Sequence, residues 1–481
     1  MALQSQCTSP AAPAITEIFT NSGPLGGGSP VGLTGSGFCS HVLNVYFGTT
    51  PAASWMVISD GFMHAVSPAH TAGTIDIIVA SSTGLSGVTA ADQFTFAADP
   101  PSVYTPIVPR RVLDTRITPP TPNQTIFLSM FAQGVPNNAT AVTLNVTVTG
   151  AVFPEALIVF RDGGVFPHQS NLNWTPGETV ANLVTVGIGG VNGGVDFYFT
   201  SIGPLPYLIV DLEGYFTPPG AGTAGEFVAL VPSRITDTRP GSGQANAGAT
   251  LGPGSSLDVQ VTGAGGVPST GVGAVVLNAT VTDTTTAGFL TVWPTGAARP
   301  LASNLNWAAR WTRANRVIVP VGTGGKVSFF SGAGVADLVV DVSGYFTDAT
   351  ASGSAFYALR SETLFNHPRI LDTRDGTGGH LGRLTPDTVT VLAVGGQGGF
   401  PLAGTPTAAV INVTVTDTSS AGALVAWPDG SSLPGASDLN WLRGQTVPNL
   451  VVVALPPSGN IDILVYGGGA DVIVDALAWF G

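Results

Sequence analysis

The sequence predicts an all-β protein built from several tandem β-sandwich-like domains. Short runs in which apolar and polar residues alternate, such as Ala141–Thr149, have the period of a half-buried strand. The 64 glycines and 37 prolines separate many such runs with turns, and no segment has the apolar period of an amphipathic helix. Many short strands between turn signals are typical of β-sandwiches and barrels.

Three long segments repeat one pattern of four markers. An R-x-x-D-T-R motif comes first, and its charged residues are Arg111, Asp114 and Arg116; Arg234, Asp237 and Arg239; and Arg369, Asp372 and Arg374. The later markers contain Asn145, Asn278 and Asn412; Trp174, Trp307 and Trp441; and Asp211, Asp341 and Asp475. The second and third markers are equally spaced in all three segments, so the segments are copies of one domain.

Stretches rich in Pro, Gly, Ala and Ser separate the parts of the chain. They predict an N-terminal arm at 1–10, a small domain at 11–97, and repeats 1, 2 and 3 at 103–217, 226–347 and 355–481. The three repeats could stack in a line or close into a pseudo-threefold unit that mimics a trimer. The sequence leaves both arrangements open.

The small domain resembles the IPT/TIG family. The resemblance rests on the Gly23-Pro24 turn, the run Gly26-Gly27-Gly28, the run Gly35-Ser36-Gly37-Phe38 and the pair Phe47-Gly48. IPT/TIG domains are immunoglobulin-like β-sandwiches that serve as spacers or interaction modules and carry no catalytic residues. The resemblance therefore implies an immunoglobulin-like β-sandwich followed by three tandem β-sandwich-like repeat domains.

Residues 104–481 resemble the DTR-containing repeats of large exported proteins of actinobacteria and related bacteria. The resemblance rests on the R-x-x-D-T-R motifs, the LNVT strands, the NLNW segments and the VDxxGYF endings. It implies an exported or surface β-protein and brings no activity with it.

Composition excludes several classes of function. Charged residues make up only 9% of the chain, against about 25% in an average soluble domain. The net charge is -13 and Lys326 is the single lysine, so no basic stripe is present to bind nucleic acid. The longest apolar runs are too short for a membrane-spanning helix, so we expect no membrane insertion.

The two cysteines, Cys7 and Cys39, could form a disulfide between the arm and the small domain, or they could be unrelated thiols. Residues 1–10 lack the basic and apolar regions of a signal peptide. The chain is therefore expected to be extracellular or at a cell surface with its leader absent or removed. A virion or injection particle is the alternative location.

The repeated R-x-x-D-T-R residues are interpreted as a structural motif, because a bidentate Arg–carboxylate pair tolerates burial in a domain with few charges. A sugar or anion site is the alternative interpretation. The recurring tryptophans are interpreted as packing residues.

Repeat 2 alone contains a basic and aromatic cluster formed by Arg310, Trp311, Arg313 and Arg316. A feature that the sister repeats lack is not required by the fold. The cluster is a candidate contact for an acidic partner subunit or a polyanionic glycan, through cation–π and guanidinium contacts. A solvated loop is the alternative.

No catalytic, metal or cofactor motif stands out in the sequence. The six histidines are scattered, and HExxH, CxxC and GxSxG spacings are missing. The chain is therefore predicted to be a non-enzymatic extracellular structural or adhesive protein, the subunit of a surface appendage, filament or coat. Its partners would be other proteins or its own copies, with glycans as a further option. The alternatives are a structural or fibre component of a phage or contractile injection particle, and a carbohydrate-binding module array.

Overall fold

A computed structural model describes residues 11–39, 42–97, 100–116, 125–164, 166–200, 203–359, 368–402 and 404–481. Strands dominate these residues, and the two 3-10 turns among them span Ala90–Asp92 and Thr323–Gly325. The all-β prediction is confirmed. No helix in the described part of the chain is long and apolar enough to cross a membrane.

The described residues form two compact units. The first contains the residues up to Pro100, together with Pro368 and Val394–Thr405. The second contains Pro101–Leu359, Arg369–Ala393 and Pro406–Gly481.

The first unit is a sandwich of two sheets. Its described strands are β1 Ala14–Phe19, β2 Ser22–Pro24, β3 Pro30–Ser36, β4 Val42–Phe47, β5 Thr50–Pro51, β6 Ser54–Ser59, β7 Phe62–Val66, β8 Gly73–Ser81, β9 Gly84–Leu85 and β10 Gln93–Ala97. One sheet has the order β1-β3-β7-β6 and the other β2-β10-β8-β4-β5, with β9 paired to β8. Val31, Phe47 and Phe94 lie in the core between the sheets, as the predicted immunoglobulin-like sandwich requires.

Repeat 1 supplies the next eight strands. They are β11 Val103–Asp114, β12 Thr125–Ser129, β13 Ala141–Thr149, β14 Glu155–Arg161, β15 Leu172–Trp174, β16 Val180–Gly187, β17 Gly194–Phe199 and β18 Tyr207–Thr217. They pair as two sheets, β11-β18-β13-β16 and β12-β17-β14-β15. This order is that of an eight-stranded jelly roll, in which successive pairs of strands wrap around two packed sheets.

Repeats 2 and 3 have the same topology. In repeat 2 the strands are β19 Phe227–Asp237, β20 Ser256–Gln260, β21 Val272–Thr282, β22 Gly288–Pro294, β23 Leu305–Trp307, β24 Arg313–Pro320, β25 Lys326–Ser331 and β26 Asp337–Thr347. In repeat 3 they are β27 Phe356–Ala358, β28 Arg369–Asp372, β29 Thr390–Ala393, β30 Ala408–Thr416, β31 Gly422–Pro428, β32 Leu439–Trp441, β33 Val447–Ala454, β34 Asn460–Gly467 and β35 Asp471–Phe480. Strands β27 and β28 both pair with β35 and together correspond to β11 and β19.

Strands β13, β21 and β30, which are equivalent in the three repeats, are buried on both faces. The apolar face of β13 contacts the core of its own jelly roll, where Val142, Leu144 and Val146 lie beside Trp174. Its polar face is also buried, and Asn145 is almost fully enclosed. The alternating pattern predicted a half-buried strand, and this was wrong because the polar face contacts other repeats instead of solvent.

The three repeats close around a pseudo-threefold axis. A ring of asparagine side chains joins them, with an Nδ2 group donating to an Oδ1 atom from Asn315 to Asn145 at 2.9 Å, from Asn449 to Asn278 at 3.0 Å and from Asn182 to Asn412 at 3.1 Å. A shared apolar cluster contains equivalent residues of all three repeats, including Phe216, Phe346 and Phe480. The arrangement that the sequence left open is therefore a closed ring, not a line.

Candidate functional site

Each R-x-x-D-T-R motif ties the first strand of its jelly roll to the last strand. In repeat 3, Arg369 donates from Nε and Nη2 to the carboxylate of Asp475 at 2.8 and 3.4 Å, and from Nη1 to Asp372 at 2.9 Å. Arg374 donates to the same Asp372 at 2.7 and 2.9 Å. Repeats 1 and 2 contain the same chain of ion pairs.

The aspartates of this chain differ in their pKa. Burial disfavours the carboxylate of Asp372, but hydrogen bonds from Arg374 outweigh burial and hold the pKa of Asp372 below its ordinary value. Burial raises the pKa of Asp475, with hydrogen bonds from Arg369 opposing it. Asp372 therefore stays ionised between its two arginines at neutral pH.

We expect Asp372→Ala to destabilise the fold more than Asp114→Ala. The side chain of Asp372 is 1% exposed, whereas that of Asp114 is 24% exposed. Removing the buried carboxylate leaves Arg374 without its partner and takes one of two carboxylates from Arg369, which keeps Asp475. The free energy of unfolding should fall by about 2–3 kcal/mol, the scale of hydrogen bonds to a charged group. The loss at the more exposed Asp114 should be about 1 kcal/mol. Chemical denaturation of the two variants measures the difference, and equal losses would contradict it.

A polar groove opens between repeats 2 and 3, beside the R-x-x-D-T-R motif of repeat 2. It consists of cavities of about 600 and 340 Å³, and both are lined by Arg234, Arg239 and Gly435. The side chain of Arg239 is 45% exposed. Its Nε and Nη2 donate to Asp237 at 2.9 and 2.5 Å, while its Nη1 has no hydrogen bond to any described residue. The groove thus presents a guanidinium that is held in place and still accessible.

The wall contributed by repeat 3 consists of residues 434–437, which precede β32, together with Asn440 of β32 and Tyr466 of β34. There the hydroxyl of Ser437 donates to the amide oxygen of Asn440 at 3.2 Å. Gly435 leaves open space, because no atom lies within 4 Å of the position that a Cβ would take. Hydroxyl and amide groups therefore line a groove that a ligand could enter.

The structure does not bring the basic cluster of repeat 2 together on an outer surface. Arg316 is 1% exposed and donates to Asp438 of repeat 3 at 2.6 Å and to the carbonyl of Leu450 at 3.0 Å. Arg313 stacks over Trp311 at 4.5 Å and lies 4.0 Å from Glu178 of repeat 1. These two arginines therefore contact the neighbouring repeats.

Burial lowers the pKa of Arg313 to about 10, with the charge of Glu178 opposing the shift. Trp311 is half-buried against the core of repeat 2, and Arg310 is exposed. Contact of Arg310 and Trp311 with an external ligand stays a prediction.

Sequence reasoning missed Glu213, which lies between repeats 1 and 2. Its carboxyl group accepts hydrogen bonds from Asn304 Nδ2 at 2.5 Å and from the Ile318 amide at 3.4 Å. Burial raises the pKa of Glu213 to about 8. One feature of the sequence could have drawn attention to Glu213: repeat 1 alone has a glutamate here, whereas repeats 2 and 3 have Ser343 and Leu477 at the equivalent position.

The recurring tryptophans are buried in the repeats. Trp174 and Trp307 lie in the cores between sheets, and Trp441 is 2% exposed. Packing accounts for their recurrence.

Two sequence predictions fall wholly or partly outside the described residues. Cys7 and the arm at 1–10 are outside, so the pairing of Cys7 with Cys39 stays a prediction.

Within the described residues, no group of three or more His, Cys, Asp or Glu side chains is placed to hold a metal ion.

Comparisons with known proteins give one family. No curated protein matches the chain. Among solved structures, SGBP-B from a xyloglucan utilization locus of Bacteroides uniformis aligns at 12% identity over 70% of this chain and 99% of its own, with a TM-score of 0.15. SGBP-B of Bacteroides ovatus, solved with a mixed-linkage heptasaccharide, aligns at 12% identity over 71% and 74%, with a TM-score of 0.16.

A triple jelly roll protein of an archaeal virus turret aligns at 10% identity over 79% of this chain and 89% of its own, with a TM-score of 0.14. TM-scores this low do not show a shared fold or a shared function. The resemblance of the repeats to DTR-containing proteins stays a prediction. Residues 13–96 match the family model of the IPT/TIG domain, so the chain carries the IPT/TIG domain that its sequence predicted.

Proposed function

We propose that the protein is a non-enzymatic extracellular structural or adhesive protein that serves as a subunit of a surface coat or appendage. The observation that carries this proposal is the closed ring of three jelly rolls. Its asparagine ring and shared apolar cluster make one chain equivalent to an assembled trimer. A preassembled ring of this kind presents three related faces to neighbouring subunits.

The charges of the ring support a structural role. Strongly shifted pKa values mark functional sites when the groups lie in an accessible cleft. Glu213 and Arg313 have such shifts, but both are buried where repeats meet. Arg316 and Asp438 are likewise used in a contact between repeats. These groups therefore hold the ring together and are not exposed to a substrate.

A cell surface and a viral or injection particle are the two locations in which such a structural subunit could act. Jelly rolls build viral capsids as well as lectins, so a component of a phage or injection particle is the alternative to a cell-surface subunit. The closed ring favours a coat or tip subunit over a filament made by stacking repeats in line, because each repeat already contacts the other two.

Self-assembly of the full chain tests the proposal. Light scattering coupled to size exclusion, over a range of concentrations, should show species larger than one chain, and electron microscopy of the same fraction should show regular particles or filaments. A dispersed monomer at every concentration would overturn the coat proposal. Deleting residues 1–10 tests separately whether the arm docks on a neighbour, since assembly unchanged by the deletion would dismiss that contact.

Carbohydrate binding is the second candidate function. The observation that favours it is the groove between repeats 2 and 3, with its accessible guanidinium and its neutral polar walls. Trp311, which belongs to the cluster predicted to contact a polyanionic glycan, is partly buried against the core of repeat 2.

A further inference from the structure

We infer that the groove between repeats 2 and 3 is a binding site for a neutral oligosaccharide. The inference rests on the second proposed function, carbohydrate binding, and is independent of the scaffold role. The two cavities, about 600 and 340 Å³, share Arg234, Arg239 and Gly435 and so form one path along the boundary between the repeats. Their size is that of small-ligand pockets, roughly 300–1,000 Å³.

The charges in the groove favour a neutral ligand. Arg234 is paired with Asp341 at 2.9 Å and lies 3.6 Å from Asp237, and Arg239 is paired with Asp237 at 2.5 Å. Hydrogen bonds from Arg239 hold the pKa of Asp237 below its ordinary value, so this carboxylate stays charged. Two guanidiniums thus face two carboxylates. An anionic ligand would gain little net attraction, and the chain as a whole has a net charge of -13.

The uncharged side chains match the chemistry of sugar hydroxyls. A sugar hydroxyl both donates and accepts, as do the hydroxyl and amide groups of Ser, Thr, Asn, Gln and Tyr. The polar lining of the two cavities includes Ser242, Gln244, Thr282, Thr312, Asn440 and Tyr466. Gln244 is exposed, and its side chain has no hydrogen bond to another described residue. Prolines 232, 240 and 434 add apolar patches against which the C–H faces of sugar rings can pack.

Gly435 distinguishes the wall of this groove from the equivalent segments of repeats 1 and 2. The equivalent position, two residues before the Ser of the third marker, is His168 in repeat 1 and Leu301 in repeat 2. Leu301 is 81% exposed, so a leucine at this position projects from its loop. A Cβ on Gly435 would meet open space, and Gly435 does not have a positive φ. A side chain there would narrow the groove without straining the backbone.

The experiment measures binding of the full chain to immobilised neutral oligosaccharides, namely glucans, xylans, mannans and galactans, with sulfated and uronic acid-containing oligosaccharides beside them. Gly435→Leu installs the residue of repeat 2 and should weaken binding about tenfold or more. Gln244→Ala combined with Asn440→Ala should weaken it by a similar factor, because two hydrogen bonds are lost. Gly220→Leu is the matched control, since a Cβ at Gly220 also meets open space outside the groove.

Two sets of results overturn the inference. If the chain binds no oligosaccharide, or binds only the charged ones, the groove is not a neutral glycan site. If Gly435→Leu and the double variant bind like Gly220→Leu, the sugar binds elsewhere. Thermal unfolding of each variant shows that the fold is retained. Light scattering tests the scaffold role separately, so the failure of one proposal is distinguishable from the failure of the other.

Discussion

Replacing Asp438 by Asn should lower the free energy of unfolding by about 3–5 kcal/mol, because it leaves a buried arginine without its carboxylate. The Nη2 of Arg316 lies 2.6 Å from Asp438 Oδ1, and Arg316 is 1% exposed. The introduced asparagine would keep one bond that Asp438 makes now, since an amide oxygen can also accept from the Ala426 amide. We therefore attribute the expected loss of stability to the charge of Arg316, which no longer has a carboxylate partner. Chemical denaturation of the full chain measures it.

The sister repeats provide the control. At the position of Arg316 they have Leu183 and Leu450, and at the position of Asp438 they have Asn171 and Asn304. Combining Arg316→Leu with Asp438→Asn installs the pair that the sisters use, and it leaves no unpaired buried charge at this contact. We expect the double variant to regain most of the lost stability. A double variant no more stable than Asp438→Asn alone would show that the ion pair is not the source of the loss.

Stability should fall as the pH rises from about 4.5 to about 8 because of Glu213, whose pKa burial raises to about 8 from an ordinary value of 4.5. Between these values the folded chain keeps a proton that the unfolded chain releases. Raising the pH therefore favours unfolding, and the effect levels off above the folded pKa. At 1.36 kcal/mol per pKa unit the total is roughly 5 kcal/mol.

Glu213→Gln isolates this contribution. The nearby charge of Asp211 also raises the pKa of Glu213, while the groups that bond its carboxyl oxygens are Asn304 and the Ile318 amide. Burial raises the pKa of Asp211, Asp341 and Asp475 as well, so the wild-type chain has further terms of the same sign. These three aspartates affect stability in the same direction in the Glu213→Gln variant. The difference in unfolding free energy between wild type and variant should therefore grow in favour of the variant up to about pH 8. A difference that is constant with pH would contradict the assigned protonation of Glu213.

Local patterns in the sequence were sufficient for the strands, the repeats and the IPT/TIG domain. The alternation in Ala141–Thr149 predicted a strand, and β13 covers the same residues. The recurrence of the R-x-x-D-T-R motif is interpreted as a structural Arg–carboxylate pair. Arg111 bonds both Asp114 and Asp211, and the structural role of the motif stays a prediction. These features depend on backbone geometry and on contacts within one repeat, so each copy carries the information for its own fold.

The tertiary structure alone decided how the repeats meet and which polar groups they bury. Alternation shows that a strand has two different faces, but it does not show whether the polar face contacts water or another domain. Asn145 reaches Asn315 of repeat 2, and Arg316 reaches Asp438 of repeat 3. The residues in these contacts are more than a hundred positions apart, so no local period records them. From the sequence, an immunoglobulin-like domain followed by three copies of one β-sandwich-like domain could be predicted. The jelly-roll strand order, the ring closure, the inward direction of Arg313 and Arg316 and the groove at Gly435 depend on contacts between distant residues, because burial is set by which surfaces meet in space.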